Sequence, residues 1–393
     1  MTPTLRRARA AVLAGFGVQG LVLISLTTRL PDFAERWDLS ELELSGLLLM
    51  MVLLAGVGSV LAESVARRHD SARVLRTGLL LVGAAVGVLA LAPAAGVFAA
   101  ALAAYGVALG LVDAGTNMQA VALEHRYDRP LLPSFHGAWT LGGVVGAGLT
   151  LATSGLPTEV AAALAVVPLT VALGAGFLPG DRGAPTRLTA AQVAVPWRPI
   201  ALVGVAMVLF YMVDTAATTW GPVYLDEVVE SPEGLVALAT LPYLVASGLV
   251  RLGGDRLVAR WGPARVLRVG ALLAALALAV VVAAPSWPVA VLGFTLLGAG
   301  VSVIAPLSFS AAARLAAGSG LDPAVRRARV DAVIARFNQF NYVGALLGSV
   351  LTGVVGAGSL RVGFAVPMVL VLAMVPLARV FVVPRPAPAS AAG

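Results

Sequence analysis

ESVARRHDSARVLRTG (63–78) and DRLVARWGPARVLRVG (255–270) are two copies of one stretch, displaced by 192 residues without a gap. Glu63 stands over Asp255, and ARVLR, one residue and a glycine recur at 72–78 and 264–270. Each copy is a short arginine-bearing break between two apolar runs. Two further pairings keep the same order. FHGAWTLGGVVGAGLT (135–150) lies over FNQFNYVGALLGSVLT (337–352), which sets Gly142 and Gly146 over Gly344 and Gly348. TTRLP (27–31) lies over TTWGP (218–222).

About 20 apolar residues cross a bilayer as a helix. On that rule twelve spans are expected: 11–29, 45–62, 74–92, 97–121, 133–153, 159–178, 199–224, 234–252, 265–284, 287–312, 332–355 and 362–382. PGDRGAPTRLTAAQVAVPWRP separates the sixth from the seventh and is the one long polar linker. The chain divides into an N-terminal half (1–180), a linker (181–198) and a C-terminal half (199–393). Six spans is an even number, so the copies have the same orientation, an architecture used by alternating-access carriers with the site between the halves.

Composition agrees. The 393 residues are 59% hydrophobic and 12% charged, against about 25% charged in soluble domains. The expected fold class is an all-α membrane protein with twelve transmembrane helices in two six-helix pseudo-symmetric halves. Residues 11–28 already form a full-length span, so no leader cleavage is expected. The net charge of +7 does not mark a nucleic-acid binder, because the arginines recur in every second loop. That bias places the N- and C-termini in the cytoplasm of a multi-pass cell-membrane protein. The opposite loops are acidic, with Asp32, Glu35, Asp38, Glu41 and Glu43 in the first. The chain has no cysteine, so disulfides and thiolate metal sites are excluded. No P-loop, nucleophile elbow or metal-ligand cluster stands out, so neither an enzyme nor a cofactor is expected. Any pumping must then draw on an ion gradient.

Twelve spans in two halves, with an acid and arginines in both the 2–3 and 8–9 loops, resemble the major facilitator superfamily. The family's loop motif, roughly G-x-x-x-D-R-x-G-R-R, is matched in part. Asp255, Arg256, Arg260, Gly262 and Arg265 keep its charges in one half, and Glu63, Arg67, Arg68 and Arg73 do so less faithfully in the other. Ser59 and Arg251 stand where the motif has its first glycine. TTRLPDF (27–33), Asn117 with Glu124, FHGAWTLGG (135–143), WGPVYL (220–225) and NYVGALLG (341–348) resemble the fucose-permease-like branch of bacterial transporters. That branch often carries an acid near the position of Asp214, which the resemblance makes a coupling or substrate residue, and it implies import of a sugar-like solute.

Ionisable and amide groups inside apolar runs are costly in lipid and so turn inward. Asp113 and Asn117 share a helix face at a spacing of four, as do His136 and Thr140. Asp113, Asp214 and His136 are the candidates for proton coupling. Asn117, Trp139, Asp214, Trp220, Asn338, Asn341 and Tyr342 are the candidates for substrate binding, since amides beside aromatic rings suit a polyhydroxylated ligand. For any one amide, a hydrogen bond tying two helices together is the preferred reading; the set as a whole is expected to line a cavity. Glu63, Arg67, Arg68, Asp255, Arg256 and Arg260, with Glu124 and Arg126, form an expected cytoplasmic gate. Its acids reach an arginine or a helix N-terminus across the halves: Arg327, Arg329 or Arg336 for Glu63, and Arg126 or Arg129 for Asp255. The expectation is a monomeric, proton-coupled carrier of a small solute in a lipid bilayer. Proton-driven drug efflux is the alternative, and a non-transporting receptor is the alternative of another class.

Overall fold

The computed structural model describes residues 2–153, 155–178, 195–318 and 320–382. Residues 181–194 of the expected linker, and the tail after 382, lie outside them. Helices begin where the local sequence supplies a cap. Ser40 and Glu43 close a capping box at the head of the helix Glu41–Arg68, each side chain satisfying a free N–H of the other. The Ser40 hydrogen bonds hold the Glu43 carboxyl below its usual range. Asp70 accepts the Arg73 N–H at 2.7 Å and opens the next helix. At the matching place in the repeat, Gly262 takes a φ of +77° before Pro263. One break is made by a cap, the other by a left-handed glycine.

Twelve transmembrane elements follow: α1 (Pro3–Thr28), α2 (Gly46–Arg68), α3 (Ser71–Ala90), α4 (Ala95–Tyr127), α5 (Leu132–Ala152), α6 (Thr158–Gly174), α7 (Trp197–Glu227), α8 (Leu241–Trp261), α9 (Pro263–Ala283), α10 (Trp287–Ala317), α11 (Pro323–Gly356) and α12 (Leu360–Phe381). Nine helices among the described residues are long and apolar enough to cross a membrane; α5, α6 and α11 complete the set. α6 opens as a 3₁₀ segment, Thr158–Ala165, before turning α-helical. α11 carries Arg326, Arg327 and Arg329 in its first turns. Large apolar side chains stay exposed on the outer helices, as on Leu173, Leu276 and Val369, where lipid tails are the solvent.

The two halves use the same packing. α1 lies along α5 and α7 along α11, while α2 lies along α4 and α8 along α10. A Cβ on Gly142 of α5 stands 2.0 Å from the Gly17 carbonyl of α1, and one on Gly344 of α11 stands 2.6 Å from that of Val208 of α7. Both members of this contact shift by the displacements seen in the sequence copies. Small residues let helix backbones touch where lipid gives no hydrophobic drive to association. The halves meet along α2–α11 and α5–α8.

Gln119 serves this framework. It is 1% exposed, accepts the Leu178 N–H at 2.9 Å and donates to the Leu178 carbonyl at 3.1 Å. Arg76 donates to the Ala172 and Ala175 carbonyls at 2.8 Å each. Together they satisfy backbone groups left free where α6 ends. Gln119→Leu strands the Leu178 N–H and carbonyl, and a loss of about 2–3 kcal/mol is expected, read as a lower thermal unfolding midpoint in detergent.

Candidate functional site

The central site grows from α4 and α7, one helix from each half. Asp113 of α4 accepts from Gln19 Nε2 of α1 at 3.2 Å. Asn117, one turn on, donates to the Asp113 carbonyl at 2.9 Å and more weakly to its carboxylate at 3.4 Å. The expected i, i+4 pair is therefore one local cluster. Tyr342 of α11 faces Asp113 from the opposite half, its buried hydroxyl making no closed hydrogen bond with the protein. Asp214 of α7 accepts from the Tyr243 hydroxyl of α8. Tyr211, one turn before Asp214, stands within electrostatic reach of both carboxylates. Thr218 shares that face, but its hydroxyl bonds the Asp214 backbone carbonyl at 2.8 Å and not the carboxylate. Asp113, Asp214, Tyr211, Trp139, Asn341 and Tyr342 are all half-buried, in the middle of spans where full burial or lipid contact are the alternatives. Asp113 of the first half faces Tyr211 and Tyr342 of the second.

Beside them lies a buried arginine, Arg251 of α8. Pro306 has no N–H, so it cannot close the helical bond to the Ser302 carbonyl four residues earlier. α10 breaks there, into Trp287–Val301 and Ile304–Ala317. Arg251 Nε takes up the freed Ser302 carbonyl at 2.8 Å. Its Nη1 donates to Thr140 Oγ1 of α5, across the halves, also at 2.8 Å. Arg251 stands within electrostatic reach of His136, Tyr211, Asp214 and Tyr243. Read as sequence, Arg251 is only the residue at a motif glycine's position. The signal that marks it is an ionisable group inside an apolar run.

Other expected residues fall into different roles. The His136 ring sits 5.1 Å from Phe16 of α1 and 6.0 Å from Phe309 of α10, with Nε2 buried and unbonded. Asn338 is fully buried, and both of its amide atoms lack a protein partner. Trp220 donates to the Ser349 carbonyl at 2.9 Å and covers Gly353. It is a strut between α7 and α11 within one half, which takes its N–H away from a solute.

The arginine-rich end is latched twice. Glu63 of α2 receives Arg336 of α11 in a two-pronged pair, Nε at 2.7 Å and Nη2 at 3.0 Å. Arg67, one turn along, adds a 3.5 Å contact. Ser59 donates to the Ala335 carbonyl, and Gln339 to that of Gly56 at 3.0 Å. In the other copy Asp255 accepts the Ser134 N–H of α5 at 2.9 Å. This partner is a helix N-terminus, where free N–H groups favour an anion, one of the two kinds of partner expected for the gate acids. Arg9, Arg129 and Arg256 line a cavity of about 330 Å³ around it. Glu124 accepts the Leu131 and Leu132 N–H groups at 2.9 and 3.2 Å, capping α5 from α4, and stands within electrostatic reach of Arg314 in the other half. Arg68 and Arg260 are exposed beside the latches.

Comparison with known proteins agrees with this architecture. A model of the Major Facilitator Superfamily matches residues 10–320 and 231–393. The uncharacterized transporter y4wD of Sinorhizobium fredii is 29% identical over 306 residues, 77% of this chain and 81% of that one. The uncharacterized MFS-type transporter YPO1221/y2967 of Yersinia pestis is 27% identical over 371 residues, 93% of each chain. Among solved structures, FucP in the outward conformation superposes with a TM-score of 0.75 at 16% identity, covering 96% of this chain and 99% of its own. The E. coli fucose:proton symporter FucP (N162A) gives 0.74, covering 96% and 98%. With the paired halves, the latched seams and the family match, the chain belongs to the major facilitator superfamily, as a multi-pass membrane transporter and not an enzyme.

Proposed function

We propose that this protein is a proton-coupled secondary carrier that moves a small polar, sugar-like solute by rocking two halves, residues 1–180 and 199–393, about a central site. One observation carries the reading. Asp113 and Asp214 come from opposite halves and border the same seam with Tyr211 within reach of both, among amides from α1, α4 and α11. A carboxylate inside a span takes and releases protons as its surroundings change, and rocking changes those surroundings. Buried amide atoms on Gln19, Asn117 and Asn338 have no protein partner, which suits a ligand rich in hydroxyls. Asn117, Trp139, Asp214, Asn341 and Tyr342 are the proposed solute contacts. Asp214 and Asp113 are the proposed proton sites, with His136 as a neighbour that relays. The fold is shared with FucP, described as a fucose:proton symporter. By the arginine bias the latched end is cytoplasmic, so the conformation is closed to the cytoplasm. The amide-rich seam weighs against efflux of apolar drugs, and the carrier acts as a monomer.

Purified protein in liposomes holding a pH-sensitive dye tests this. A solute gradient is expected to drive proton movement in the wild type, and Asp214→Asn to cut it at least roughly a hundredfold, as removal of an essential proton carrier does. Flux that survives moves the proton site to Asp113 or His136. Solute movement without protons sinks the coupling.

A further inference from the structure

Arg251 is 7% exposed, and a guanidinium cannot shed its charge by deprotonation. Inside a span such a charge is costly unless an opposite charge accompanies it. Its two hydrogen bonds go to neutral oxygens, the Ser302 carbonyl and the Thr140 hydroxyl. These satisfy N–H groups but not the charge. The ion pairs Arg36–Glu159, Arg67–Glu63 and Arg336–Glu63 do not involve Arg251. Asp214 feels Arg251 electrostatically, but its carboxylate is held by the Tyr243 hydroxyl. Nη2 of Arg251 has no hydrogen bond among the described residues, Nε and Nη1 being the engaged atoms. A permanently charged fork thus stands at the seam of α5, α8 and α10 with its ion-pair position open.

We propose that the transported solute carries an anionic group, a carboxylate, and that Arg251 is the residue that binds it. The inference rests on the central-site reading above and deepens it by naming the substrate class. Amides on Gln19, Asn117 and Asn338 take the solute's hydroxyls, so the class is hydroxylated carboxylic acids, of which sugar acids are the type. Proton coupling then follows from charge. A carboxylate on Arg251 lies beside Asp214, and two carboxylates share one cation poorly unless one is protonated. The solute anion and a proton on Asp214 stabilise each other, so one anion crosses with one proton and no net charge moves.

The test uses matched acid and neutral solutes in the same liposomes: gluconate against glucose, and galacturonate against galactose. Proton movement is read in the wild type, Arg251→Gln, Arg251→Lys and Asp214→Asn, with and without an imposed potassium diffusion potential. The acids are expected to drive Asp214-dependent flux that ignores the potential, while the neutral sugars drive little. Arg251→Gln is expected to raise the half-saturating acid concentration at least roughly thirtyfold, as loss of a buried charge-assisted contact does. Arg251→Lys should recover part of this, since it keeps the charge but not the fork. If Arg251→Gln does not fold, the acid-to-neutral preference of Arg251→Lys decides: a lowered preference supports the assignment, and an unchanged one overturns it. Neutral sugars driving Asp214-dependent flux as well as the acids, or Arg251→Gln lowering both alike, also overturns it and leaves the proton-coupled site standing. Absence of Asp214-dependent flux with every solute removes the central-site reading and this inference together.

Discussion

Gly142→Leu is expected to disrupt the first half, while Gly148→Leu on the same helix leaves stability nearly unchanged. A Cβ at Gly142 would lie 2.0 Å from the Gly17 carbonyl oxygen and 2.8 Å from its carbon. Those atoms are helix backbone, so neither can rotate away as a side chain does. α1 and α5 must separate along their contact, giving up packing that extends in both directions from Gly17 to Leu21. Overpacking a close contact costs about 1–3 kcal/mol, more where backbone must move, and here the loss is expected to be at least about 3 kcal/mol. Gly148 has nothing within 4 Å of its would-be Cβ. The check is the thermal unfolding midpoint and the yield of monodisperse protein in detergent. Equal behaviour of the two variants would show that α1 does not pack on α5 as described. Gly348→Leu extends the test to the second half, where the Met212 carbonyl stands at 2.3 Å.

Glu63→Gln is expected to open the arginine-rich end. The wild-type carboxylate holds Arg336 through two N–H···O bonds and Arg67 through a third contact. The glutamine side chain removes the charge and leaves both arginines without their anion. The Arg336 side chain is 50% exposed, so water screens the pair and the full value of a buried pair does not apply. A shift of about 1–2 kcal/mol remains, roughly 5–30-fold in the closed-to-open ratio. A chain without cysteine allows spin labels at cysteines introduced only on the arginine-rich ends of α2 and α11. Electron–electron distance measurement should show a longer component growing in Glu63→Gln. An unchanged distribution would place the closing force elsewhere, with the Asp255–Ser134 contact next to be broken.

The latches also show which parts of the site are legible in sequence. Glu63 and Asp255 could be picked out because they occupy the same place in two copies of a loop, and both cross between the halves. Their partners could not be read with equal certainty. One is Arg336, among the three arginines considered, and the other is the Ser134 backbone N–H, a group every residue but proline carries. Glu124 illustrates the opposite case. An acid in a basic break looks like a member of the gate; its hydrogen bonds go to the first turn of α5 in its own half, while Arg314 of the other half lies within its electrostatic reach. Asp113 with Asn117 was legible because four residues make one helical turn. Trp220 was not, since its N–H ends on a carbonyl of α11, 129 residues away in sequence.

Hydropathy, arginine bias and the repeated loops by themselves determined that this protein is a twelve-span, two-half membrane carrier. Those properties depend on residues counted along one strand of chain, and a bilayer translates them directly into helices. The tertiary structure alone decided what each polar group in the spans faces. It brought Tyr243 to Asp214, set Tyr342 opposite Asp113, and placed Arg251 against the carbonyl that Pro306 leaves free in a helix two spans later. The physical reason is that a buried charge or dipole is settled by whichever donors and acceptors converge on it in space. That convergence comes from helix packing, and the spacing of residues along a single helix carries no record of it.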